Sequence, residues 1–134
     1  MKVPCEIVVW YVLPAIRREI AKELVKTYGI KQADVARKFE VTDAAISQYL
    51  KRKRGENEII QNSEFYDIFV EEIKASAEKL ALDEEDFATE VCRLCCVVKN
   101  CGMLAEIYKE YTGYNPPRCA LPDDVILQDG IPSE

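Results

Sequence analysis

The chain contains no histidine. It therefore lacks the side chain most used for proton transfer near neutral pH and the commonest nitrogen ligand of metals. Glycine is scarce, five in 134 residues, and no glycine-rich loop that could cradle phosphate is present. Neither a paired carboxylate site nor a nucleophile–base pair can be read from the sequence. These absences leave an enzyme without support, and neither catalytic residues nor a small-molecule substrate are expected. No apolar run approaches the roughly eighteen residues that a spanning helix requires. The stretch "CEIVVWYVL" (5–13) has the apolarity of a signal-peptide core. However, Glu6 interrupts it, only Lys2 precedes it, and no small-residue cleavage site follows. A cytoplasmic protein without a membrane partner is expected. There is no internal repeat and no low-complexity tract.

Hydrophobic residues make up 49% of the chain and charged residues 31%, as in an ordinary globular protein. The net charge of −6 hides an asymmetry. Residues 1–56 carry 12 Lys+Arg against 7 Asp+Glu, a net of +5, whereas residues 57–134 carry 6 against 17, a net of −11. Such a split suggests a basic binding module (1–56) joined to an acidic module (57–134) with another task. The polar, glycine-containing "RGENE" (54–58) is the natural boundary.

The expected fold class is all-α. Leu13, Ile16, Ile20, Leu24 and Tyr28 recur three or four apart, the signature of one helix face, with Gly29 as its stop. The preceding "CEIVVWYV" reads weakly as helix leading to a kink at Pro14. Lys31–Phe39 and Asp43–Arg52 read as two short helices, with Thr42 capping the second. A long helix follows, with Ser63 at its start and Phe65, Ile68, Phe69, Ile73, Ala77 and Leu80 on one face. Asp83 is expected to cap the next, whose stripe is Phe87, Val91, Leu94 and Val98. Met103–Tyr111 closes at Gly113, and the tail from Tyr114 reads as irregular.

The segment "QADVARKFEVTDAAISQYLKRKRG" (32–55) meets the physical needs of a helix-turn-helix. Such a motif crosses two short helices over a tight turn. Ala36 is small enough for the crossing, Val41 can plug the turn, and Ile46 with Tyr49 or Leu50 can pack the second helix on the first. Thr42, Asp43, Ala44, Ser47 and Gln48 then face outward. With Gln32, Ala36, Val41 and "AAISQYLKRKRG", the region from Leu13 to Gly55 resembles the lambda-repressor/Cro-like (XRE-type) helix-turn-helix regulators. One departure is Glu40, where that family usually has a glycine with positive φ. The opening "PCEIVVWYVLPAIRREIAKELV" resembles a group of archaeal regulators of this type.

The resemblance implies that the second helix enters the major groove of double-stranded DNA. Gln48 would then make a bidentate contact with adenine, Ser47 or Thr42 would bond to bases or phosphate, and Ala44 and Ala45 would meet thymine methyls. Gln32 would fix a phosphate. Lys51, Arg52, Lys53 and Arg54 would neutralise the backbone. Asp43 repels phosphate unless it accepts from a cytosine amino group or merely caps the helix.

Six cysteines make up about 4.5% of the chain, and four lie within "VCRLCCVVKNCG" (91–102). On a helix Cys92, Cys95 and Cys96 share one side. Cys101, nine residues beyond Cys92, is about half a turn out of phase. It can fold back only if the helix breaks at "KNCG" near Lys99. Cys119 in the tail could complete a set of four, and Cys5 is a distant candidate. Without histidine, zinc would require four thiolates, with Cys92, Cys95, Cys101 and Cys119 as the natural set and Cys96 as an alternative ligand. The same set could hold an iron–sulfur cluster, 4Fe-4S or 2Fe-2S. Archaeal regulators that the chain resembles carry cysteine-rich modules of that kind. A small helical cysteine-rich module that senses redox, oxygen or iron status is therefore expected. A constitutive DNA binder with structural zinc and a thiol–disulfide switch are the alternatives. A homodimer is expected because one recognition helix covers only a half-site. The Phe65–Phe69–Ile73–Leu80 stripe and the Tyr108–Tyr111 region are its candidate surfaces.

Overall fold

The computed structural model describes residues 3–51 and 55–128, with side chains to residue 125. The fold is all-α, with no strand among the described residues. The elements are α1 (Pro4–Ile7), α2 (Leu13–Lys22), α3 (Gln32–Phe39), α4 (Asp43–Leu50), α5 (Glu58–Gln61), α6 (Tyr66–Ala81), α7 (Phe87–Asn100), α8 (Met103–Thr112) and α9 (Asp123–Gln128).

The ambiguous N-terminal stretch is helical. Between α1 and α2 the residues Val8–Val12 form a wider π turn, in which Leu13 N–H bonds to the Val8 carbonyl. Pro14 explains its position. Proline has no N–H, and its ring presses on the carbonyl four residues back. Widening the turn just ahead of it lets the helix continue into α2 without a break. A second π turn, Glu23–Thr27, carries α2 toward Gly29, which takes φ +67°.

Of the expected stripe, Ile16, Ile20 and Leu24 are fully buried, Leu13 is half-buried and Tyr28 is exposed, while Ile7 and Val12 of the preceding turn are buried as well. These buried residues join Val35 and Ile46 of the basic half in a cluster that also contains Phe69, Ile73, Leu80, Leu94, Val98, Met103 and Ile107. α2 touches α4, α6 and α7. The boundary expected at 56/57 lies in the connection before α5, yet one core runs across it. The stripes expected to face a second subunit are spent inside this core. Phe69, Ile73, Leu80 and Tyr108 are buried, Phe65 covers Gly102, and Tyr111 stacks on Tyr11 at 3.8 Å. Ile68 departs from its expected face and is exposed.

Three helix ends differ from expectation. Asp83 does not begin α7 but ends α6, at φ 55°, with Glu84 N–H bonded to the Lys79 carbonyl and Asp83 N–H to that of Leu80. The cap of α7 is Asp86, whose carboxylate accepts from Thr89 N–H at 2.7 Å. Ser63 does not cap α6. Its hydroxyl accepts from Phe65 N–H and donates to Glu106, tying the start of α6 to α8. The described part of the tail, expected to be irregular, contains a 3-10 turn, Arg118–Ala120, and α9. Asn100 supplies the reason. Its side-chain oxygen accepts from Asp123 N–H at 2.8 Å, while Lys99 pairs with the Asp123 carboxylate.

α6 and α7 are joined through a buried carboxylate. Glu90 is 2% exposed, and its Oε1 accepts from Ser76 Oγ at 2.7 Å and Arg93 Nε at 3.0 Å. Lys79 Nζ stands 3.8 Å from Oε2, and Arg93 continues to the Glu72 carbonyl and carboxylate. Burial pushes the Glu90 carboxyl up, but the hydrogen bonds from Ser76 and Arg93 and the nearby cations outweigh it, and its pKa is lowered. A depressed folded value means that Glu90 stabilises the fold above its ordinary 4.5 and loses that contribution as pH falls through the folded value. Urea midpoints measured from pH 7 to pH 3 are expected to fall with acid. The Glu90→Gln protein, less stable at pH 7, is expected to show a flatter acid limb.

Gly55 packs against the first long helix with φ +76°. A Cβ built there would lie 2.3 Å from the Pro14 carbonyl oxygen and 2.7 Å from Arg18 Cβ. Neither backbone nor Cβ can move aside cheaply. Gly55→Ala is expected to destabilise the protein by about 1–3 kcal/mol, read as a lower urea midpoint with unchanged helical circular dichroism.

Candidate nucleic-acid interface

α3 and α4 are two eight-residue helices separated by Glu40, Val41 and Thr42. Glu40 takes the left-handed conformation, φ 57° and ψ 44°. Its N–H bonds to the Arg37 carbonyl at 3.2 Å, and Val41 N–H bonds to Ala36 at 3.0 Å. This pair of bonds stops a helix in a Schellman turn and redirects the chain within one residue. The geometry is the one for which glycine is suited, here adopted by a glutamate at a strain of about 1 kcal/mol. Thr42 then starts α4. Its backbone is extended, and its hydroxyl accepts from Ala45 N–H at 3.1 Å.

Packing across the turn follows the sequence reading. Ala36 is buried at the crossing, Val41 is half-buried against the core, and Ile46 is fully buried. Tyr49 is buried as well, and Leu50 is half-buried. With Ala45, Ile46 and Tyr49 turned inward, α4 exposes Thr42, Asp43, Ala44 and Gln48, with Ser47 half-exposed among them; Ala45, expected beside Ala44 at thymine methyls, packs in the core instead. Gln32 is exposed at the start of α3, and Lys51 is exposed just beyond α4. Arg52, Lys53 and Arg54 lie outside the described residues. The structure thus brings the candidate DNA-contacting residues of α4 onto one accessible surface.

Contacts that anchor this unit escaped the sequence reading. Lys38 Nζ donates to the Leu80 carbonyl at 3.1 Å and to Asp83 Oδ1 at 2.6 Å, placing a cation on the C-terminal end of α6. Phe39 stacks on Phe87 with ring centroids 4.0 Å apart. Phe39 could be read only as core in sequence, since its partner is 48 residues away. A groove of about 640 Å³ opens beside this stack, lined by Arg17, Lys38, Glu40, Val91 and Cys92 among others. One of the clustered thiols therefore lies beside the turn.

The thiols themselves are not assembled as their spacing suggests. All six cysteines are free. α7 ends at Asn100 and Gly102 takes φ +106°, so the helix breaks within "KNCG" as expected, yet the break does not gather Cys101 with the other thiols. Cys101 is half-buried, and its thiol donates to the Val98 carbonyl at 3.7 Å. Cys119 is exposed beside the buried Ala120, and Cys5 is exposed at the N-terminal helix. Cys92 and Cys96 are exposed, with Cys95 half-buried against the core. Burial pushes the Cys95 thiol up, and the neighbouring Cys92 and Cys96 add to this against the pull of Arg17. Burial likewise pushes up Cys101, outweighing the backbone hydrogen bond from Met103. Among the described residues no group of three or more Cys, Asp or Glu is placed to hold a metal ion. The side chains of this conformation do not fit the four-thiolate centre that the spacing suggests. No described helix is long and apolar enough to cross a membrane.

No family model matches the chain, and neither a characterised protein nor a solved structure matches it.

The strain at Glu40 can be measured. Glu40→Gly is expected to raise stability by about 0.5–1 kcal/mol, seen as a higher urea midpoint at constant slope. A destabilised Glu40→Gly protein would show that the left-handed turn is absent in solution.

Proposed function

We propose that the protein binds double-stranded DNA through α3 and α4 and acts as a transcriptional regulator. The observation that carries this reading is the junction of the two helices. A left-handed residue at Glu40, a plug at Val41 and a cap at Thr42 pack α4 by one face and leave the other bare. The bare face carries short polar and small side chains, Thr42, Ala44, Ser47 and Gln48, of the size and chemistry that reach base edges. The charge distribution supports the same reading, since the basic half of the chain contains the pair and the run Lys51–Arg54 follows α4. Binding as a homodimer on a two-fold operator belongs to the proposal, because α4 spans one half-site.

The iron–sulfur cluster draws its support from cysteine spacing and from the resemblance to archaeal regulators, and the zinc alternative from spacing alone. No step of the proposal runs through a metal, because no three ligands converge among the described residues.

Replacing Lys51, Arg52, Lys53 and Arg54 by glutamine tests the reading. The wild-type protein is expected to retain duplex DNA in an electrophoretic shift assay, with affinity falling steeply between 50 and 200 mM salt as counterions rebind. The neutralised protein is expected to lose retention and to keep the wild-type melting temperature within a few degrees. Equal retention by the two proteins would refute a DNA-binding role for this segment.

A further inference from the structure

Asp43 occupies the first position of α4, at the end that enters the groove if the DNA-binding reading holds, and the inference that follows rests on that reading. A carboxylate is unwelcome near phosphate, so its presence there needs a reason. Capping is not that reason. The N-terminal cap is Thr42, whose hydroxyl already accepts from Ala45 N–H. Asp43 is exposed, and among the described residues it has neither a hydrogen bond nor an ion pair. Its neighbours on the bare face, Thr42 and Ala44, are also exposed, so Asp43 is accessible to a base edge that meets that face. A position in the first helical turn favours an acid slightly whatever it touches, but that effect has no dependence on DNA sequence.

The chemistry of the major groove then limits what the carboxylate can accept from. An ionised aspartate only accepts hydrogen bonds. Guanine offers N7 and O6, both acceptors, and thymine offers O4 and a methyl group, so both are rejected. Adenine offers its N6 amino group but sets the N7 acceptor beside it, against the second carboxylate oxygen. Cytosine offers its N4 amino group with no neighbouring acceptor on the same base. We propose that Asp43 is a specificity-determining residue that accepts from the N4 amino group of one cytosine in each half-site and rejects guanine and thymine there.

Aspartate and asparagine have the same shape but opposite needs. An asparagine at position 43 gains donors and suits the paired N6 and N7 of adenine. Asp43→Asn is therefore expected to move the preferred base from cytosine to adenine at one position, leaving the rest of the operator unchanged.

The test uses the full chain and a pool of duplexes with a random 20-base-pair centre, selected in parallel by wild type, Asp43→Asn and Asp43→Ala. The dissociation constants of the selected duplex and its single-base variants are then measured at 0.1 M salt. For the wild type, guanine or thymine in place of the cytosine is expected to weaken binding about tenfold or more. Asp43→Ala should lose discrimination at that position alone, and Asp43→Asn should prefer adenine there. Identical base preferences in all three proteins would overturn the assignment while leaving DNA binding intact. So would a change in melting temperature or a uniform change in affinity without a change in base preference. If the wild type selects no duplex at all, the DNA-binding reading falls, and this assignment falls with it.

Discussion

The structure depends on the burial of one helix. α2 and the turns that flank it place Ile16, Ile20 and Leu24 fully out of water, and α2 is in contact with α4, α6 and α7. Each such side chain contributes on the order of 1.5–3 kcal/mol when fully buried. The basic and acidic halves are thus held by the same apolar surface. Charge separates them along the chain, but packing does not. Lys38 on the end of α6 and the Phe39–Phe87 stack add polar and aromatic links to that common core.

The helix-turn-helix gains its definition from this arrangement. A short helix such as α4 is marginal in isolation, because eight residues give few internal hydrogen bonds for the cost of nucleation. Its stability comes from Ile46 and Tyr49, which are buried, and from the cap at Thr42. The residues that would meet DNA contribute little to folding and are free to be chosen for recognition. Ser47 and Gln48 can therefore change without disturbing the scaffold, whereas Ile46 cannot.

Much of this was legible in the sequence, and the reasons differ by residue. Apolar spacing located α2, α3 and α4, because an amphipathic face repeats with the helical period. Val41 and Thr42 were legible because a plug and a cap need particular side chains. Glu40 carried no such signal. Its left-handed backbone follows from the turn that the packing imposes, and only the resemblance pointed to that position. Asp83 and Asp86 were confused because both are acids near a helix start, and the backbone decides which one caps. The order of the tail depends on Asn100 meeting Asp123, a contact that no local pattern encodes. The cysteines show the same limit. Spacing tells which thiols share the face of a helix, but not where Cys101 and Cys119 are carried by the turns that follow.

The common core has a consequence for exchange of parts. In chains where the reading head and the remaining domain are tethered by a loose linker, either one can be transplanted as a cassette. Here Gly55 lies against Pro14 and Arg18, and α2 contacts elements of both halves. A graft of the front half onto a foreign partner would carry an uncovered oily flank with it. Recombination within this architecture is therefore constrained to swap surface residues of α4, not whole modules.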